Sequence, residues 1–400
     1  MSCITVIGLD GRPLSGEAAT LLEEAALVTG GRRHLAELGV EGKRAVALEG
    51  DLSGALTCIE RARGPVVVLA SGDPGFFGIV RLLEERFGAE TLRIIPGASS
   101  VALAFARAGL SWDDAVTVSA HGRDPRRAVN VCRAYPKVAV LTSPGFGPAK
   151  LARELEEWGR TFFVAERLGG PDERVFRGGA AEVVGRRWND PNVVLVLDEK
   201  RGSGRRGWIS SGLESSGRWA LPEDSFEHRS AMITKAETRA LVLARLGPGP
   251  GDLIWDVGAG SGSVAVECAR LGAAALAVER DPESCERIRK NAARHGVCVR
   301  VIEGEAPEAL RDLPEPDAVF VGGSGSSFEE IIKLCAVRAH RAVVLSLISL
   351  ERIVPAGETL KDCGLEVETA FMQTSRVKGI GDLHRLSTET SVFVVSGRKQ

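Results

Sequence analysis

From residue 235 onward, short unbroken apolar runs alternate with longer stretches in which apolar residues return at helical spacing. The pattern predicts helix 235–246, strand 252–257, helix 262–271, strand 274–279, helix 283–295 and strand 298–302. Strand 317–321, helix 327–338, strand 341–347 and helix 350–363 follow. Two last strands, near 365–374 and 391–397, read as a hairpin closing the sheet. Apolar runs suit strands buried on both faces, and the helices between them supply the crossovers of a doubly wound, mostly parallel sheet. The first half is α/β as well. Strands are predicted at 3–7, 66–69, 92–95, 137–141 and 193–197, with a helix at 16–26. Several of these strands run into small or turn-forming residues, where open α/β sheets meet their ligands.

Between the halves, the chain turns to Gly, Ser and Arg (Arg201-Gly202-Ser203-Gly204-Arg205-Arg206) and reaches Pro222. This reads as a linker, with Trp208 and Trp219 as candidates to dock on a domain. The expected organisation is therefore a first domain at 1–200, a linker at 201–225 and a second domain at 226–400. The halves share no motif, which indicates a fusion and not a duplication.

Composition narrows the function classes. At 400 residues the chain is long enough for two domains, and 44% hydrophobic with 26% charged residues is ordinary for a globular protein. A net charge of −2 without a basic tail argues against nucleic acid as the main partner. No apolar run reaches membrane-spanning length, and the N-terminus runs straight into a strand without a signal peptide, so no membrane role and a cytoplasmic location are expected. The eight cysteines form no C-x-x-C pair. Cys3, Cys58, Cys268 and Cys335 sit in apolar patterns and read as reduced core thiols, with no metal site.

The stretch with most chemistry in it is Leu253 to Gly262, L-I-W-D-V-G-A-G-S-G. A buried strand ends at Asp256-Val257, and Gly258, Gly260 and Gly262 follow at alternate positions. Glycines there let the backbone take positive φ and let a ligand approach main-chain N–H groups. Roughly 20 residues on, a second strand ends in Glu279, placed to accept hydrogen bonds from two ribose hydroxyls. A dinucleotide fold wants G-x-G-x-x-G, but the last position is Ser263. The spacing G-x-G-x-G resembles motif I of class I S-adenosylmethionine (SAM) methyltransferases. NAD(P) and a ligand-free glycine turn are the alternatives.

Further motifs extend the resemblance over nearly the whole chain. The first half resembles the tetrapyrrole (corrin/porphyrin) methylase family at Leu69-Ala70-Ser71-Gly72-Asp73-Pro74-Gly75-Phe76-Phe77-Gly78, Ile95-Pro96-Gly97-Ala98-Ser99-Ser100, Ser119-Ala120-His121-Gly122-Arg123-Asp124, Leu141-Thr142 and Pro171-Asp172-Glu173-Arg174. The second half resembles the class I methyltransferase partner of cobalamin biosynthesis. The matching residues are Phe226-Glu227-His228, Met232-Ile233-Thr234-Lys235, Val278-Glu279-Arg280-Asp281-Pro282, Glu303-Gly304-Glu305-Ala306-Pro307-Glu308, Phe320-Val321-Gly322-Gly323-Ser324-Gly325 and His384-Arg385-Leu386. The chain departs from the first family's G-x-G-P-G loop at Gly8-Leu9-Asp10-Gly11-Arg12-Pro13, where Asp10 replaces a glycine.

The resemblance implies an α/β fold throughout: a two-subdomain tetrapyrrole methylase fold, then a doubly wound, Rossmann-like class I methyltransferase fold. It implies methylation of a precorrin or cobalt-precorrin at C5 and C15, with loss of CO2 from an acetate side chain. Two SAM sites per chain are implied, with S-adenosyl-L-homocysteine as product, and a homo-oligomer. Methyl transfer from an activated sulfonium needs alignment and exclusion of water, not a metal or a covalent nucleophile. For the first SAM site the candidates are Ser71, Gly72, Asp73, Gly75, Ser99, Ser100 and Thr142, with Asp10, His121 and Arg123 toward substrate. For the second they are Thr234, Asp256, Gly258, Ala259, Gly260, Ser261, Gly262, Glu279, Glu305 and Ala306. Thr234 is also expected to cap the helix that follows it. Gly323 and Ser324 leave room for the acceptor, and Lys235, His384 and Arg385 are candidate substrate contacts or proton carriers. The alternatives on another acceptor are an RNA or protein methyltransferase and a non-catalytic SAM-binding scaffold.

Overall fold

A computed structural model describes residues 3–48, 52–201, 218–229, 233–323, 325, 327–380 and 383–399. Most of the expected linker, including Trp208, and the candidates Met232 and Ser324 lie outside the described residues.

The first half holds two five-stranded sheets. Strands β1 (Ile4–Leu9), β2 (Leu27–Gly30), β3 (Ala45–Ala47), β4 (Val66–Ser71) and β5 (Leu92–Ile95) form a parallel sheet in the order β3-β2-β4-β1-β5. Strands β6 (Val116–Ser119), β7 (Lys137–Leu141), β8 (Thr161–Glu166), β9 (Arg174–Gly179) and β10 (Asn192–Leu197) form a mixed sheet, β6-β7-β10-β8-β9, in which only β6 and β7 run parallel. Five of these strands (β2, β3, β6, β8 and β9) go beyond the predicted set. β2, β3 and β6 have four residues or fewer, too short to show a period.

The second half is one seven-stranded sheet. Its members are β11 (Leu253–Val257), β12 (Ala274–Glu279), β13 (Val299–Glu303), β14 (Ala318–Val321), β15 (Ala342–Leu347), β16 (Glu366–Met372) and, after a detached hairpin of β17 (Ser375–Ile380) and β18 (Leu383–Thr388), β19 (Val392–Arg398). The order is β13-β12-β11-β14-β15-β19-β16, parallel up to β15 and antiparallel at the β19–β16 edge. The predicted closing hairpin is therefore real, but a second hairpin is inserted between its strands. All five residues of β11 are buried, as a central strand covered on both faces requires.

The halves are packed on one another. The helix Pro125–Ala134 sends Arg126 Nη1 to Asp317 at 2.8 Å and Asn130 Nδ2 to the Gly251 carbonyl at 3.0 Å. Arg160, almost wholly buried, is held within the first half by Asp198 and sends Nη2 across to Cys298 Sγ at 3.7 Å. All eight cysteines are free thiols, but Cys3 and Cys58 are exposed, contrary to expectation. The helix Leu52–Arg61 buries Ala55 and Ile59, which turns Cys58 toward solvent.

Candidate functional site

Two clefts open at strand ends, one in each half. The second-half cleft, about 880 Å³, lies where the sheet order reverses beside β11. Strands β12 and β13 extend to one side and β14 and β15 to the other, so the connections after β11 and β14 part and leave a crevice. Gly258 has φ 68°, and a Cβ there would sit 2.3 Å from the Gly323 carbonyl oxygen. Only glycine lets the two turns meet. Ala259, Gly260, Ser261, Glu279, Glu305, Ala306, Thr234, Lys235 and Gly323 all line this cleft.

Glu279 organises the turn. Its Oε2 accepts the Gly260 N–H at 2.8 Å, and its Oε1 accepts the N–H groups of Arg280 and Asp281 at 3.0 and 3.1 Å. Glu305 Oε1 accepts from Arg280 Nη1 at 2.9 Å. Asp256 and Gly262 stand behind the wall, not on it. Asp256 is 1% exposed; its Oδ2 accepts the Ala265 N–H at 2.9 Å and its Oδ1 is buried without a partner. Burial pushes its carboxyl up to about 7, the Ala265 N–H opposes this, and the Glu279 charge adds to it. A Cβ on Gly262 would meet the Ile288 side chain at 2.7 Å, so that glycine serves packing.

Thr234 does not cap the helix Ala236–Leu246. Lys235 is the capping residue, without a side-chain cap bond, and Glu223 Oε1 accepts the Ala236 N–H at 3.2 Å instead. That partner is 13 residues away in sequence, which local spacing does not reveal. Lys235 Nζ lies 3.8 Å from Glu389 Oε2. His384 and Arg385 do not join this wall. They sit exposed on β18, paired across the detached hairpin with Gly379 and Lys378. Arg229 and Arg287 line the cleft and were not anticipated.

The first-half cleft, about 600 Å³, runs between the ends of β1, β4 and β5 and the facing strands of the mixed sheet. Ser71, Gly72, Gly75, Ser100, Thr142, Asp10, His121 and Arg123 line it. A Cβ on Gly8 would lie 2.1 Å from the Gly72 carbonyl oxygen and 2.4 Å from the Gly97 nitrogen, so three loops cross as bare backbone. Asp73 and Ser99 shape the wall without lining it. Asp73 Oδ1 accepts the Gly75 N–H at 2.8 Å, and Ser99 Oγ caps the helix Ser100–Ala108 by accepting the Ala102 N–H at 3.1 Å. Thr142 Oγ1 is 2.6 Å from Asn192 Oδ1.

The altered loop has a defined job. Asp10 Oδ2 accepts the Ala98 N–H and Oδ1 the Arg12 N–H, both at 3.1 Å. The carboxylate ties the loop after β1 to the loop after β5. Arg33 and Arg81 join Arg123 on the cleft wall, and neither was anticipated. Arg81 and Arg123 have no polar partner among the described residues. A cleft with free guanidinium groups suits a substrate that carries carboxylates.

The second cleft fits SAM on the chemistry of its walls. Glu279 offers acceptors for ribose hydroxyls, and the Gly258–Gly260 turn offers bare main chain. Comparison with known proteins agrees. Residues 8–184 match the model of the tetrapyrrole (corrin/porphyrin) methylases, and residues 224–399 match that of the precorrin methyltransferase domain. The chain is 39% identical over 356 residues to a precorrin-6Y C(5,15)-methyltransferase (decarboxylating) of a Sinorhizobium species, covering 85% of this chain and 82% of the relative. It is 36% identical to a cobalt-precorrin-7 C(5)-methyltransferase of Salmonella typhimurium, over 49% of this chain and 100% of the relative. It is 33% identical to a probable cobalt-precorrin-6B C(15)-methyltransferase (decarboxylating) of Pyrobaculum calidifontis, over 44% of this chain and 94% of the relative.

The Asp256 environment predicts a pH dependence. Its folded pKa lies above its unfolded value, so the unfolded chain ionises first and stability falls as pH rises from about 4 to about 7. Denaturant titration of the ligand-free chain at pH 5 and pH 8 should show a loss of about 3 kcal/mol from this group. Asp256→Asn should remove that part of the slope. An unchanged slope in the variant would refute the assignment.

Proposed function

The chain belongs to the precorrin-6Y C(5,15)-methyltransferase (decarboxylating) family, and on that premise we propose that it methylates a precorrin or cobalt-precorrin at C5 and C15 and decarboxylates the C12 acetate side chain, in cobalamin biosynthesis. Residues 1–200 carry the C5 methylation. Residues 226–400 carry the C15 methylation and the decarboxylation, with 201–225 joining them. The observation that carries this reading is the presence of two separate clefts on one chain, each built on glycine crossings at the ends of parallel strands. Relatives named for one reaction alone span about half the chain, which accords with the division.

SAM, when bound, supplies a methyl group already activated on sulfonium and leaves as S-adenosyl-L-homocysteine. In the second cleft Gly258, Ala259, Gly260 and Ser261 face its amino-acid end, Glu279 its ribose, and Glu305 and Ala306 its adenine edge. Asp256 holds the turn from behind through Ala265. In the first cleft Ser71, Gly72, Gly75, Ser100 and Thr142 form the cofactor wall, and Asp73 and Ser99 hold its turns. Arg33, Arg81 and Arg123 bind acidic side chains of the macrocycle. Loss of CO2 sends an electron pair into the conjugated ring, so the substrate is its own electron sink. The protein's part is to bind the carboxylate and protonate the carbon. Lys235 lines the cleft and is suited to both, and Arg229 and Arg287 line the same cleft.

A cytoplasmic location accords with eight free thiols. No described helix is long and apolar enough to cross a membrane. Homo-oligomerisation accords with the apolar residues that the detached hairpin leaves exposed: Val377, Ile380, Leu383 and Leu386.

Titration calorimetry should give about two SAM per chain, and Gly258→Ala should leave one, in the first cleft. A stoichiometry of one in the parent chain would refute the two-site count, and its persistence in Gly258→Ala would place the remaining site in the first cleft. Mass spectrometry after incubation with SAM and a suitable precorrin, with and without cobalt, should show gain of two methyl groups and loss of one CO2. A chain that binds SAM but leaves every such macrocycle unchanged would point to another acceptor. Light scattering should give a multiple of 42.5 kDa that Leu383→Lys with Leu386→Lys reduces. A monomeric parent chain would exclude assembly through the hairpin.

A further inference from the structure

His34 is a buried histidine beside the first cleft, behind its lining residues. It sits on the short helix Arg32–Glu37 and is 6% exposed. Its Nε2 lies 2.7 Å from Ser71 Oγ, and its Nδ1 lies 3.4 Å from Glu37 Oε2. Ser71 ends β4, is exposed and lines the cleft. A carboxylate, an imidazole and a hydroxyl thus stand in line, with solvent at one end and the cleft at the other. Glu37 is the solvent end, its side chain 57% exposed.

We propose that Glu37, His34 and Ser71 form the proton outlet of the first cleft, with Ser71, which ends the cofactor wall, also meeting the substrate and His34 as the positioning residue behind it. This rests on the C-methylation assigned above. A ring carbon that bears hydrogen and accepts a methyl group then carries both substituents, and the conjugated ring is left one proton in excess. The C–H bond breaks and its electron pair returns to the ring. Ser71 Oγ takes that proton while its own hydroxyl proton passes to His34 Nε2. Glu37 balances the imidazolium that results, and the proton leaves to water along the exposed carboxylate. No oxidant or further reactant is needed.

Four observations favour this group over its neighbours. Thr142 Oγ1 is already committed to Asn192, and Ser100 lies in the first turn of a helix. His121 lines the cleft but is exposed, with no ion-pair partner among the described residues. His34 has the state the relay requires: burial first, then the Arg33 charge, lower its pKa, while Glu37 opposes this, so the imidazole is neutral and able to accept.

The test uses the full chain, whose second cleft serves as an internal control for folding. With histidine labelled by 15N, the ligand-free protein should show His34 with hydrogen on Nδ1 and an accepting Nε2 whose resonance moves in Ser71→Ala. In His34→Gln the amide can still hydrogen-bond Ser71 but cannot take up its proton. Turnover of the first methylation should fall about 10²-fold, with KM for SAM and the second methylation unchanged. Substrate deuterated at the accepting carbon should then show an isotope effect larger than in the parent chain. Hydrogen on Nε2 would overturn the relay, because Ser71 would have nowhere to send its proton. So would parental turnover in His34→Gln, or a rise in KM for SAM alone, which would make His34 a support for the cofactor. If the parent chain methylates no precorrin, the functional reading falls instead, and the nitrogen resonances still decide the His34–Ser71 arrangement.

Discussion

Backbone passing backbone, closer than any side chain permits, is the constraint on which both clefts depend. At Gly258 the turn after β11 meets the turn after β14, and at Gly8 the end of β1 meets the loops after β4 and β5. Each crossing draws strand ends together so that main-chain groups, not side chains, form the floor. A floor of N–H and C=O groups binds a polar cofactor without adding mobile side chains, and it is rigid because it is the end of a hydrogen-bonded sheet. The carboxylates nearby then have a common role. Glu279, Asp256, Asp73 and Asp10 each accept a backbone N–H and fix a turn that glycine alone would leave loose.

A second layer of polar contacts sets the path of the segment that covers the second cleft. Arg239 and Glu267 are both fully buried. Arg239 donates to the carbonyls of Thr234 and Leu221 and lies over the Phe226 ring, and Glu267 accepts the Leu221 N–H at 2.6 Å. Asn291 exchanges hydrogen bonds with the Glu227 backbone and donates to the Ser261 carbonyl at 2.8 Å. A buried ion pair adds little net stability, since desolvation offsets its attraction. Its effect here is to hold Leu221, Phe226 and Thr234 in one arrangement beside the helix Ala236–Leu246. Thr234 and Lys235 reach the cleft wall for that reason.

The interface between the halves obeys the same logic. Helix Pro125–Ala134 turns an apolar face and Asn130 inward, and Asn130 meets the Gly251 carbonyl just before β11 begins. Arg126 meets Asp317 just before β14. The first half thus grips the amino ends of the two strands whose carboxyl ends carry the second cleft. The clefts are held in a fixed relation without either being obstructed.

Local pattern was enough for the second-half sheet, because parallel strands buried on both faces and their crossover helices write unambiguous apolar periods. It was enough, too, for the glycine turn and Glu279, because each stands at the end of one of two consecutive parallel strands that pair directly. The short strands of the first half and the detached hairpin were not legible, since a few residues with mixed polarity show no period. Site membership was decided by tertiary structure wherever the partner is distant: Asp256 is turned behind its turn, His384 and Arg385 are carried off on β18, and Glu223 takes the capping role expected of Thr234. Arg33, Arg81 and His34 carried no motif, and only the packing of two separate helices, Arg32–Glu37 and Val80–Phe87, brings them to the first cleft. The sequence by itself determined where strands end and chain reversals need glycine, because those are local steric demands. The tertiary structure decided which side chains face the same cavity, because that depends on how separate segments cross.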